Sequence, residues 1–361
     1  MIMDRQLLSR ENSLILRGLA ILTIMYHNFL HLSVFGFCKE NEMSFEQERV
    51  DTFFSELPSS GFHVVFEVVS FLGWIGVPVF VFLTGYGLSI KYPLNVRIDK
   101  RKYLKNCYLK LFFLLLPAVL FFSIFDIWNG LLTDLIKRAI ELTMLYNLDY
   151  PHLCVSPGVY WYFSLTFQYY VLYCFCRKWL NITNLLIFSV LSLLLLYPLV
   201  VMDMPNTLSI YRHCFTGWFP VFALGIWFVN DERPIRLIEK ISTFTTCLLL
   251  LLMPALIVIM QLNVISWLIS PVVSFFFFVL FAKLIVNTRY VSELFKWIGG
   301  VSAYLFVCHP MARQICIIFH MSNYGICVSL FVYTVMTFII ALFYQKIHKQ
   351  LVTKFKVIQS I

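Results

Sequence analysis

Apolar stretches separated by short polar ones run the whole length of this chain. Ten approach or exceed the about 17 residues that a helix needs to cross a bilayer. They lie at 14–36, 63–90, 111–128, 158–176, 182–201, 214–230, 241–261, 264–286, 297–319 and 324–345. The second is long enough that it must tilt or break. Between the third and fourth, "LIKRAIELTMLYNL" has the pattern of a short helix lying at the interface. No soluble domain, linker, low-complexity tract or clear repeat interrupts the pattern. It predicts an all-α polytopic membrane protein, a single domain over 1–361 with about ten transmembrane helices. The opening "MIMDRQLLSRENS" is polar and is followed by no small-residue cleavage site, so the first apolar stretch reads as a retained helix rather than a signal peptide.

Composition strengthens this reading. The chain is 60% hydrophobic and 13% charged, against about 45–50% and about 25% in soluble domains. One water-soluble core cannot bury that much apolar surface. The ten cysteines are scattered, mostly inside apolar stretches, and Cys174 and Cys176 are the only close pair. No metal-ligand spacing appears among them, so they read as small apolar filler and no metal is expected.

The net charge of +9 would suggest nucleic acid in a soluble protein. Here its distribution says otherwise. With the N-terminus inside and the ten spans alternating, all but Lys39, Arg49, Lys137, Arg138, Arg212 and Arg313 of the 28 lysines and arginines fall on the cytoplasmic side. The opposite orientation reverses that ratio. Both termini are therefore expected in the cytoplasm, and the charge is a topology signal that also suits contact with membrane lipids. No nucleic-acid partner is needed. One outer loop, "CKENEMSFEQERVDTFFSELPSSG", carries six acids against two bases, as this orientation wants.

Ionisable groups at membrane depth are costly and tend to be functional. The first span holds Arg17, His27 and His31. His27 lies roughly 20 Å from the cytoplasmic end of that helix, and His31, four residues on, shares its face. A neutral imidazole can act as a general base near pH 7. A pair of structural histidines bonded to neighbouring helices fits the same positions. The ten residues from Arg17 to His27 leave the two about 80° apart around the helix, with Asn28 on Arg17's face instead. In the second span His63 and Glu67 are again four apart, and Glu67 reaches the depth of the first-helix histidines, where a carboxylate could orient an imidazole and stabilise its cation. In the ninth, His309 and Arg313 are four apart, and Arg313 could balance Glu67 or meet an anionic substrate. The segment "KYPLNVRIDKRKYLKNCYLK" is denser in basic residues than any other on its side. A polyphosphate ligand such as a nucleotide or coenzyme A would use that density.

Four stretches, in order, resemble one known family. "LRGLAILTIMYHNFLH", "GWIGVPVFVFLTGYGLSI", "YWYFSLTFQYYVLY" and "GGVSAYLFVCHPM" are similar to the signature elements of acyltransferase family 3, the bacterial membrane O-acyltransferases that acetylate surface glycans. The resemblance implies a ten-helix enzyme of the bacterial cytoplasmic (inner) membrane that takes acetyl groups from acetyl-CoA. The acceptor would be a hydroxyl of a cell-surface glycan or its lipid-linked precursor. His27 would be the essential first-helix histidine, as base or acyl carrier, with Arg17 its partner; from its depth in the second span, Glu67 is the expected assisting carboxylate. Arg101, Lys102, Lys105 and Lys110 would hold the coenzyme A phosphates. His31, His309, Arg313, Trp161 and Tyr162 are the expected acceptor-binding residues. A transporter or flippase of glycan or lipid substrates also has ten helices and intramembrane polar residues, but it needs neither the dense basic segment nor the four motifs in order.

Overall fold

The computed structural model describes residues 7–32, 35–59 and 61–355, and no strand occurs among them. Helices dominate because lipid offers the backbone no partner, so each spanning segment must satisfy its own amides and carbonyls. Several helices begin at a side-chain cap. Asp99 accepts the Lys102 N–H at 3.1 Å, Asn181 the Asn184 N–H at 2.9 Å, and Ser242 the Thr245 N–H at 3.1 Å.

Among the described residues, eight helical segments are long and apolar enough to cross a membrane, two fewer than the sequence pattern suggests. They are Asn12–Leu30, Gly61–Lys91, Lys100–Trp128, Ile182–Val201, Thr243–Met260, Val264–Ile285, Arg289–Ile318 and Ile326–Gln350. The other two expected spans are shorter helical segments, Trp161–Cys176 with 16 residues and Phe215–Asn230. Sixteen residues of helix rise about 24 Å, less than the about 30 Å hydrocarbon core. The second span does break: a helix at Val64–Leu72 and another at Val77–Lys91 flank a 3₁₀ turn at Gly73–Gly76. The interfacial segment forms the helix Leu132–Glu141.

The chain divides into two compact units. The first comprises 1–91, 181–205 and 218–302, and the second 92–180, 206–217 and 303–361. In the first unit the Asn12–Leu30 helix packs on the broken second span, and Val77–Lys91 crosses Phe219–Asn230. That crossing is close because two glycines meet backbone: a Cβ at Gly85 would strike the Phe222 carbonyl, and one at Gly225 the Phe82 carbonyl. Small residues at helix crossings let backbones approach and gain van der Waals contact that lipid does not provide. Phe82 fills the adjoining core, stacked on Phe275 at 4.0 Å.

In the second unit the helix Lys100–Trp128 is one continuous element of 29 residues. The basic segment therefore does not end in a loop. Capped by Asp99, its lysine- and arginine-rich part forms the first turns of that helix, where long unbranched side chains are good helix formers. Arg138 is buried against the far end of this helix. Its guanidinium donates to Asp126 at 2.9 Å, to Glu141 at 3.4 Å and to the Ser156 carbonyl.

Candidate active site

Glycine opens the first unit's polar centre. Gly73 and Gly76 face the first helix so closely that side chains there are excluded. A Cβ on Gly73 would strike His27 Cβ and lie 2.9 Å from the Thr23 carbonyl oxygen; one on Gly76 would lie 2.5 Å from the Ala20 carbonyl oxygen. The helix ends at Leu72, just before this contact. Carbonyls in a helix's last turn lose their helical partners, and that of Ser70 turns to the first helix. It accepts from His27 Nδ1 at 2.7 Å and from His31 Nε2 at 3.1 Å. A carbonyl oxygen has two lone pairs and no proton, so the nitrogens facing it carry the hydrogens. His27 is thereby set as the tautomer with Nδ1 protonated and Nε2 basic. Its side chain is buried, 4% exposed, and the two imidazoles lie 4.0 Å apart, tilted by 58°.

A carboxylate completes the group. Glu40 Oε2 lies 3.0 Å from His31 Nε2 and 3.9 Å from His27 Nε2. Burial works against its charge, but the two imidazoles hold the Glu40 carboxyl down at about 2. The loop that carries it is fastened on both sides. Ser70 Oγ donates to the Cys38 carbonyl at 2.9 Å, and the Cys38 N–H donates to Glu67 Oε2 at 3.2 Å. Arg49 donates to the Glu40 carbonyl oxygen at 2.7 Å. Trp267 Nε1 donates to the Asn41 carbonyl at 2.5 Å.

Two sets of side chains come close enough to invite a metal: His27, His31 and Glu40, and Cys38, Glu56 and Glu67, each with its ligand atoms within 4.8 Å of one another. Without an ion, both sets hold protons that a metal would have to displace. His31 Nε2 faces two acceptors, so it holds a proton and has no lone pair to give. The Cys38 thiol donates to Glu56 Oε2 at 3.0 Å, and burial followed by that bond pushes it far above the usual thiol range.

The sequence-derived candidates separate as follows. His27 and His31 meet, as their spacing on one face requires. Glu67, expected beside them, is buried with its carboxylate on the Cys38 amide; the folded-back loop after the first helix brings Glu40 to the imidazole instead. Arg17 is half-buried on the same helix. In the second unit Tyr162 and His309 both pack on Phe306, at 5.7 Å each, and Arg313 lies within electrostatic range of Tyr333 and Tyr160. Trp161 instead meets His213 edge-on at 5.3 Å, and burial holds that imidazole neutral, pushing it down to about 3. Arg101, Lys102, Lys105 and Lys110 are all exposed on the Lys100–Trp128 helix. At about 100° per residue, Arg101, Lys102 and Lys105 fall within one broad face, while Lys110 is about 180° from Arg101. Two other bases are engaged nearby. Arg177 donates to the Tyr92 and Pro93 carbonyls at 3.4 and 3.2 Å, and Lys100 sits over the Phe175 ring at 4.6 Å. Sequence reasoning missed Glu40 and His213. The signal for Glu40 was present, since it sits in the acid-rich loop that follows the histidine helix.

A multispan helical protein with a buried imidazole, its tautomer fixed and a carboxylate beside it, has the parts of a membrane enzyme that moves protons. Residues 14–346 match the acyltransferase domain of acyltransferase family 3, and the chain belongs to that family. It is a membrane acyltransferase. No curated protein and no solved structure matches it.

Proposed function

We propose that this protein transfers an acetyl group from acetyl-CoA to a hydroxyl of a cell-surface glycan or its lipid-linked precursor, in the bacterial cytoplasmic membrane with both chain ends inside. The observation that carries the reading is the fixed tautomer of His27: Nδ1–H on the Ser70 carbonyl makes Nε2 the basic nitrogen, in a buried setting. In this reading Nε2 takes the proton of the acceptor hydroxyl. The oxygen attacks the thioester carbonyl carbon, and the tetrahedral intermediate collapses with loss of the coenzyme A sulfur. That sulfur recovers the proton from the imidazolium, so no net charge is left behind. Exposed Arg101, Lys102 and Lys105 offer charge to the phosphates of the donor, with Lys110 on a different face. His31, His309, Arg313, Trp161 and Tyr162 remain the acceptor-side residues, and Glu67 supports the loop next to the histidines.

The test uses the purified full-length protein with radiolabelled acetyl-CoA and crude cell-envelope glycan. Label moving into glycan, and lost in His27→Ala with acetyl-CoA binding kept, supports the reading. Glycan that stays unlabelled while the protein moves glycan or lipid across vesicles would establish the transporter alternative.

A further inference from the structure

The first helix and the loop behind it hold two imidazoles and one carboxylate, and the chemistry above uses only one imidazole. We propose that Glu40 is a positioning residue of the transfer reaction, its carboxylate holding the positive charge that the histidine pair acquires when His27 takes the acceptor's proton. This rests on the reading of His27 as the base.

Three observations converge. Glu40 Oε2 lies 3.0 Å from His31 Nε2 and 3.9 Å from His27 Nε2, so one oxygen serves both rings. Both rings also share the Ser70 carbonyl, which fixes their tilt and turns His27 Nε2 away from that carbonyl. The loop is anchored at Cys38, Glu40 and Asn41 by bonds from Ser70, Arg49 and Trp267, and the Cys38 amide is itself held by Glu67. Those anchors come from separate helices. The carboxylate is thus delivered to the imidazoles by the fold rather than by a loose surface pairing.

During transfer the proton passes from the acceptor O–H to His27 Nε2. A C–O bond forms to the acyl carbon, the C–S bond breaks, and the sulfur takes the proton back. Glu40 gains and loses nothing; it opposes the charge on the ring between those two events. An opposite charge within about 4–6 Å favours the charged form of a group by about 1–3 pH units.

Of the other charged and titratable groups near the pair, Lys39 and His63 are exposed and Glu42 is buried on the same loop as Glu40; the rest face other partners or stand further off. Glu67, on the helix Val64–Leu72, faces the Cys38 amide. Glu56, on Gln47–Glu56, faces the Cys38 thiol, and Arg49 of that helix faces the Glu40 backbone. The segments Gly73–Gly76 and Val77–Lys91 bring only Lys91, at the far end. Val264–Ile285 brings Lys283, which donates to the carbonyls of Ile238 and Glu239. Arg17 stands more than two turns earlier on the first helix.

The experiment is a pH titration of the full-length protein in detergent, with ¹⁵N-labelled histidine. Ring signals are assigned by their loss in His27→Gln and His31→Gln, and the other six histidines report folding. In Glu40→Gln the His27 midpoint falls by about 1–3 pH units. Glu40→Asp keeps the charge but draws it back by one methylene, and produces a smaller fall in the same direction. A His27 midpoint equal to wild type in either variant, or equal between the two, overturns the proposal. In the acetyl-transfer assay Glu40→Gln slows the wild-type rate roughly tenfold or more, and the acidic limb of its pH profile moves to lower pH by the same amount as the titration. A wild-type protein that transfers no label refutes the glycan reading, while the histidine titration still decides the place of Glu40.

Discussion

Replacing Gly73 by alanine puts one methyl group where the first and second spans touch. The added Cβ would overlap His27 Cβ and approach the Thr23 carbonyl oxygen to 2.9 Å. Both partners belong to a helix backbone or its first side-chain atom, so neither can swing aside. Forcing a methyl into such packing costs about 1–3 kcal/mol. The spans relieve the overlap by moving apart, and the Ser70 carbonyl, three residues back, moves with them. Its bonds to His27 at 2.7 Å and His31 at 3.1 Å then stretch, at about 1 kcal/mol each. Together the loss is roughly 3–5 kcal/mol. A catalytic group misplaced by about 1 Å loses about 10²-fold in rate. Gly87 is the internal control: it is exposed, and a Cβ there meets nothing within 4 Å. Gly87→Ala should be neutral, or more stable by up to about 1 kcal/mol through the lower backbone freedom of alanine. The assay compares thermal unfolding in detergent and acetyl transfer for the two variants. If Gly73→Ala melts and transfers like Gly87→Ala, the glycine contact does not set the histidine site and this account of it is wrong.

Loss of the base should cost about 10²–10⁴ in rate, so His27→Ala should nearly abolish transfer with acetyl-CoA still bound, and His31→Ala should be milder; the reverse order would reassign the base. Lys105→Ala should weaken acetyl-CoA binding more than Lys110→Ala, measured by equilibrium binding, because Lys105 shares a helix face with Arg101; high salt should weaken the wild type too. Reporter fusions after Lys110 and after Lys346 should both signal cytoplasm, and a periplasmic signal at either would reject the proposed orientation. Arg138→Ala strips the partner from Asp126 and Glu141 and should lower stability by about 3–5 kcal/mol, seen as a lower melting point. In the wild type, burial raises Glu141 to about 7 against the pull of Arg138. The folded form therefore holds a proton that the unfolded chain has lost, and this group's contribution to stability falls as pH rises from about 4.5 to about 7; because buried His213 works the other way below about 6.5, the readout is the melting-temperature difference between wild type and Glu141→Gln, and a difference that does not fall over that window would contradict the assignment.

Hydrophobic periodicity made most of the helices legible because lipid imposes one solution on each long apolar stretch. It was less informative about where helices begin when length was marginal. The 158–176 and 214–230 stretches read as spans, but their helices start at Trp161 and Phe219 after turns at Tyr160 and Phe215–Trp218. Apolarity in a stretch does not say where backbone geometry changes. The same limit applies to the basic segment. Its charge was plain, but charge carries no period, so the sequence could not say that Lys110 turns away from Arg101 once both lie on one helix.

The site was legible in its histidines and hidden in everything that orients them. His27 and His31 share a face by arithmetic, and polar groups at that depth demand partners. Their partners are a backbone carbonyl, which has no local pattern, and a loop carboxylate, which the sequence marked only as one of six acids in its loop. The Ser70 carbonyl is available only because the second span breaks at Gly73–Gly76, and the break sits there because both glycines press on the first helix. Glu40 reaches the rings only because the loop is tied back at Cys38 and Asn41. Glu67 looked like the partner because helical spacing put it at the right depth; the fold uses it one step back, on the amide of the loop that delivers Glu40. Depth along a helix selects which elements meet, and the bonds closing the loop decide which carboxylate arrives.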